Sequence, residues 1–208
     1  MVESHLPAQR LYLASRSPRR RELLTQAGVG FETLLFRGPP RADAALDETP
    51  CDGELAADYV QRLAGNKAEH GGLIVRRRNL PRHPVLAADT IVELAGDLIG
   101  KPRDVADAER ILRRLSGCTH RVLTAVAVTF EGRCERLLSI SEVRFRTLEA
   151  QEIHHYVTCG EPMDKAGAYG IQGRAGSFVE YLAGSYTGIV GLPLCQTVQL
   201  LKGFGYRL

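Results

Sequence analysis

The chain has 208 residues, 44% of them hydrophobic and 25% charged, the balance of a soluble protein able to bury a substantial core. A formal net charge of +3 excludes a general nucleic-acid binder but allows a local basic site for a small polyanion. Five dispersed cysteines without a CxxC pair make neither a zinc site nor a disulfide framework, and no run reaches the ~18 apolar residues of a membrane span. The first ten residues, MVESHLPAQR, lack the apolar core of a signal peptide, so the expectation is a cytoplasmic protein with reduced thiols.

Leu11 to Ala14 reads as a short strand that feeds a loop and then a helix. Ser17 is a good N-cap, Pro18 suits the first helical position, and Gly28 stands where a left-handed C-cap belongs. Leu23, Leu24 and Ala27 supply the inward face. Arg19, Arg20 and Arg21 then crowd the first turn, where the helix dipole is already positive and each cation costs roughly 0.3–1 kcal/mol. Phe31 to Phe36 predicts a second strand, and RGPPRADAA (37–45) a surface loop. From Gly53 to His70 the pattern is helical, ended by the glycines at 71–72. Lys67 falls on its apolar face, and spacing alone leaves open whether it snorkels from the core rim or aims an amine into a cleft.

RRRNLPRH (76–83) reads as a solvated connector. PVLAADTIVEL follows as an apolar strand interrupted at Asp89-Thr90, with a hairpin return carrying Ile99, Gly100 and Lys101. Asp104 caps a helix through Leu115. Two long β-runs flank the turn EGR as a hairpin, and a helix covers Glu149 to Thr158. After a glycine-rich stretch, Pro193 opens a last amphipathic helix with Leu194, Val198 and Leu201 on one face. Alternating strands and helices with at least two hairpins predict an α/β fold whose mixed sheet curves around a cleft.

Chemistry concentrates at a few points. The arginines at the helix start become sensible if a phosphate is their partner, because backbone amides and guanidinium groups both grip phosphate oxygens. Asp89 is a carboxylate inside an apolar strand, where an unpaired charge is costly, so a catalytic or metal-binding role stands beside a structural one. Asp47, Glu48, Lys101 and Lys165 read first as surface charges, and His120 as a structural histidine. Tyr169 and Tyr186 are read as core residues. Cationic side chains with one or two carboxylates suited to Mg²⁺ recur in enzymes that cleave phosphoanhydrides.

The segments LYLASRSPRRRELLTQAG, LDETP, YVQRLAGNKA, LAADTIVEL, GKP, LSGCTHRVLT, VRFRTL, GEPMDKAGAYGIQG and GSYTGIVGLPL, in this order, resemble the Maf family of nucleoside triphosphate pyrophosphatases, relatives of the inosine triphosphate pyrophosphatases. The resemblance implies one domain over 1–208, with 1–10 as an N-terminal extension and two lobes within 11–208 around a long mixed sheet and a central cleft. It also implies a homodimer and a nucleotide-pool housecleaning reaction: a triphosphate and water give the monophosphate and pyrophosphate with a divalent cation, Mg²⁺ or Mn²⁺. Carried over by position, Asp89 is the proton acceptor, and Ser15, Arg19, Arg20, Lys67 and Lys101 surround the triphosphate. Glu48 lies near the metal with Asp89, while Arg19, Thr90 and Gln172 match base-selective positions. SPRR, ADT and the Gln of GIQG side with the dTTP/UTP branch, as against the 7-methyl-GTP branch. A septum-regulating nucleotide sensor is the rival of a different class. Neither a nucleic acid nor a membrane is expected as a partner.

Overall fold

The computed structural model describes residues 9–37 and 47–207. Most of the expected 37–45 loop and of the 1–10 extension lie outside the described residues; Arg10 already belongs to the first strand. In chain order the elements are β1 (Arg10–Leu13), α1 (Pro18–Gln26), β2 (Gly30–Thr33), α2 (Ala56–Arg77), β3 (Val85–Leu94), β4 (Asp97–Ile99) and α3 (Val105–Leu115). There follow β5 (Thr119–Phe130), β6 (Arg133–Phe145), α4 (Ala150–Thr158), β7 (Val179–Ala183), α5 (Tyr186–Val190) and α6 (Leu194–Gly203). Three short 3₁₀ turns fill the glycine-rich stretch between α4 and β7.

Seven strands form one mixed sheet in the order β2-β1-β3-β5-β6-β7, with β4 paired to β3. β1 is parallel to β2 and to β3, whereas the β3–β5, β5–β6 and β6–β7 pairs are antiparallel. The long β5–β6 hairpin closes through the two-residue turn Glu131-Gly132, as the EGR signal predicts. Because side chains alternate along a strand, β3 sends Val85, Ala87 and Ile91 into a core beneath α2. Leu86 and Ala88 enter another core, shared with α1 and α6. A third core lies under α3 and α4 and takes Val92, Val122, Val143 and Phe145.

Several elements depart from the expected bounds. β2 ends at Thr33, and Leu34 to Phe36 leave the sheet toward the cleft. α2 does not stop at the 71–72 glycines but runs to Arg77, so the connector begins only after that residue. Gly71 faces β3: a Cβ there would stand 2.7 Å from Val85 Cγ1, so glycine permits close helix–strand packing rather than marking a C-cap. β3 passes through Asp89-Thr90 without a break, and its return strand ends at Ile99, before Gly100 and Lys101. β7 and α5 have no counterpart in the sequence reading, and Tyr186, read as core, is exposed at the start of α5.

What changes along β3 is its neighbour on one edge. β5 accompanies one edge from Val85 to Glu93. On the other edge, β1 pairs as far as Leu86 and β4 begins only at Val92. The edge between them therefore opens beyond the C-terminal end of β1, where the chain has gone to β2 on one side and to β3 on the other. That is a topological switch point, the place where open α/β sheets form a ligand crevice.

Candidate active site

A cleft of about 790 Å³ opens at this gap. Ser15, Arg19, Arg20, Glu48, Lys67, Asp89, Thr90, Lys101 and Gln172, all of the candidate residues, line it together. Six cationic side chains and four carboxylates contribute to its wall among the described residues, an excess that favours a polyanion.

Asp89 points to the α2 side of β3, as its place in the Val85–Ala87–Asp89–Ile91 alternation requires. Opposite, Tyr59, Leu63, Lys67 and Gly71 recur every four residues on the buried stripe of α2, which seats Lys67 over Asp89. Lys67 Nζ donates to Asp89 Oδ1 at 2.5 Å and to Glu48 Oε1 at 2.8 Å, so the amine belongs to the cleft. Its carbon stem stays in the apolar core. Burial raises the Glu48 carboxyl, but Lys67, with Lys101 and Arg20 behind it, outweighs that effect and holds it below the usual carboxylate range. Tyr59 fixes the same loop by donating its hydroxyl to the Glu48 carbonyl at 2.8 Å.

Thr90 points to the other side and meets α1. Arg20 reaches across with Nε donating to the Gly191 carbonyl at 2.9 Å, Nη2 to Thr90 Oγ1 at 3.2 Å and Nη1 to Ser15 Oγ at 3.4 Å. Thr90 in turn shares a hydrogen bond with Thr124 at 2.9 Å, so the hydroxyl aimed at the base by the sequence reading is engaged within the wall. Burial lowers the Arg20 guanidinium from its ordinary value, and the facing Asp89 carboxylate opposes that shift. Arg19 Nη1 pairs with Asp164 Oδ2 at 3.2 Å across the cleft. Arg21, the third of the cluster, turns outward and donates to the Arg16 carbonyl. Two of the three misplaced cations thus serve the cleft, and the third does not.

Lys101 is exposed just beyond β4. Gln172 also lines the cleft, exposed and without a hydrogen bond to another described residue. Sequence reasoning passed over Tyr59, Glu161 and Asp164 and read Lys165 as a surface charge, yet all four also line the cleft. The DKAG setting pointed to Asp164 and Lys165; Glu161 had no local signal.

Fold and cleft define the class: an α/β protein with a cationic crevice built around a paired carboxylate. A family model described as Maf-like protein matches residues 10–204, and the chain belongs to that family. A Dechloromonas aromatica protein named dTTP/UTP pyrophosphatase is 62% identical over 198 residues, covering 95% of this chain and 98% of its own. A protein of the same name from Aromatoleum aromaticum is 62% identical over 200 residues, 96% and 97% of the two chains. Another from Nitrosomonas europaea is 51% identical over 195 residues, 94% of each. Among solved structures, the Staphylococcus aureus Ham1 protein gives a loose likeness, with a TM-score of 0.40 at 12% identity over 66% of this chain and 72% of that one.

Proposed function

We propose that this protein is a nucleoside triphosphate pyrophosphatase acting on dTTP and UTP. The observation that carries the reading is the Lys67–Asp89 pair on the open edge of β3, facing Arg19 and Arg20 in one cleft. The names of the near relatives supply the substrate.

Asp89 Oδ1 is held by Lys67, and Oδ2 makes no hydrogen bond to another described residue, which leaves lone pairs for a water. Asp89 takes the proton of that water as its oxygen attacks the α-phosphorus. The bond from the α-phosphorus to the αβ-bridging oxygen breaks, and its electron pair leaves with pyrophosphate. Arg19, Arg20, Lys67 and Lys101 hold the β and γ phosphates and offset the charge that grows on the leaving group. Gln172 offers a donor and an acceptor from one amide, the pair that a pyrimidine carbonyl and N3–H require.

Two carboxylates converging on one ammonium, without an all-protein cage of three or more ligands among the described residues, suit a hard divalent ion that keeps phosphate and water oxygens. Asp89 and Glu48 would hold Mg²⁺ or Mn²⁺, which when bound supplies charge neutralisation at the triphosphate. The homodimer and the cytoplasmic setting belong to the same reading; light scattering after gel filtration tests the dimer. Among the described residues no helix is long and apolar enough to cross a membrane.

The test is pyrophosphate release from dTTP and UTP by the wild type and Asp89→Asn. The amide still accepts from Lys67, so the variant folds and binds nucleotide while turnover falls about 10²-fold or more. Equal and negligible release from both proteins would replace the enzyme by a nucleotide sensor.

A further inference from the structure

Glu161 has no part in the chemistry above, yet its carboxylate holds the turn that carries Gln172. Glu161 opens the 3₁₀ turn Glu161–Asp164 behind the cleft lip. Its Oε1 accepts from the Tyr156 hydroxyl at 2.9 Å, and the same phenol oxygen accepts the Gly170 N–H at 3.1 Å. Its Oε2 accepts the Arg174 N–H at 3.2 Å. Between these two anchors the chain makes a tight turn, closed by Gly173 N–H donating to the Gly170 carbonyl at 3.0 Å, with Gln172 inside it. A Cβ on Gly173 would stand 2.2 Å from Glu161 Oε1, so the carboxylate is pressed against that backbone. Tyr156 is itself fixed, buried to 3% exposure and edge-on to Phe178 at 5.1 Å between ring centroids.

The Gln172 side chain has no partner among the described residues, so its aim depends on where the backbone of this turn is held. We infer that Glu161 and Tyr156 form a clamp that positions Gln172 and thereby sets the base specificity of the cleft without touching the nucleotide. The inference rests on the proposed pyrimidine triphosphate activity and names its specificity-determining support. Loss of the clamp lets the turn shift by an ångström or so, which disturbs recognition at the base and leaves the phosphate end, held by other elements, as it was.

Glu161→Ala removes both anchors; Tyr156→Phe removes the hydroxyl arm and keeps the ring packing. With dTTP and UTP both variants are expected to lose about tenfold or more in kcat/KM, while an abasic ribose 5-triphosphate stays within about twofold of wild type. Glu161→Gln, which retains one carbonyl acceptor, recovers part of the loss. Amide hydrogen exchange accelerates at 170–174 and not in α2 or β5. Equal losses on the nucleotide and the abasic triphosphate would overturn the clamp, and so would unchanged dTTP turnover or unchanged exchange at 170–174. If the wild type turns over neither dTTP nor UTP, the proposed function falls, and the exchange measurement still decides whether the pair fixes the turn.

Discussion

Single side chains in this protein act through the partner that the strand or helix assigns them. Lys67 and Asp89 are each expensive when buried alone, and at 2.5 Å they become a stable buried pair whose disruption from one side typically costs about 3–5 kcal/mol. Gln172 is the opposite case, an exposed amide with no structural duty. Gln172→Glu removes its donor, so kcat/KM for dTTP and UTP should drop about tenfold or more without loss of stability; steady-state kinetics beside urea denaturation check both halves. His120 is structural, as read from the sequence: buried to 1% exposure and hydrogen-bonded to Tyr169 Oη at 2.9 Å. Burial pushes its imidazole down to about 4, an effect that the nearby Cys118 backbone only weakly opposes. The folded state keeps it neutral while the unfolded chain protonates near 6.5, so the unfolded state binds more protons between pH 6.5 and 4. Stability contributed by this group is full above that window and declines by about 3 kcal/mol as pH falls through it. Urea melts of wild type and His120→Gln at several pH values in that range should show a steeper decline for wild type.

At the scale of elements, α2 on β3 decides the site, and the fit depends on Gly71. Alanine there would gain about 1 kcal/mol of helix propensity. Its Cβ would also meet Val85 at 2.7 Å and Leu34 at 3.3 Å in a packed core, where overpacking costs about 1–3 kcal/mol. A net loss is therefore expected for Gly71→Ala, and Gly71→Ala/Val85→Ala should show a favourable coupling in a double-mutant cycle measured by denaturation. The α1 element resolves its own conflict. A first turn without an acidic residue and with three arginines opposes the dipole, but Ser17 caps it, Gly191, Ser15 and Thr90 satisfy Arg20, and Asp164 satisfies Arg19. These elements were legible because helical and strand periodicity is a local property. The continuity of β3 was not, because the polar pair Asp89-Thr90 coincides with a change of edge partner from β1 to β4 rather than an end of the strand.

For the whole molecule, the cleft joins parts far apart in sequence: the α1 start, the 47–50 loop, α2, β3 and the Gly170–Gly173 turn. A ligand that bridges them stabilises the fold by mass action, by about 2.7 kcal/mol at a hundred times its Kd. A dTTP analogue with a non-hydrolysable αβ link should accordingly raise Tm in wild type. On the proposed function, Arg20→Met removes charged hydrogen bonds to phosphate, so it should need about tenfold more analogue for the same shift; thermal denaturation against analogue concentration measures it.

The residues themselves determined the order and kind of most elements, the basic helix start, the carboxylate in an apolar strand and the membership that these motifs imply. Each of those rests on neighbours in the chain or on the spacing of a repeat. Only tertiary structure decided that Lys67 faces the cleft, that Thr90 and Ser15 brace Arg20, that Arg21 turns away and that Glu161 grips the Gln172 turn. Those facts depend on which strand edge stays open and on contacts between segments as far apart as Arg20 and Gly191, separated by 171 positions in the chain, and no local propensity carries such information.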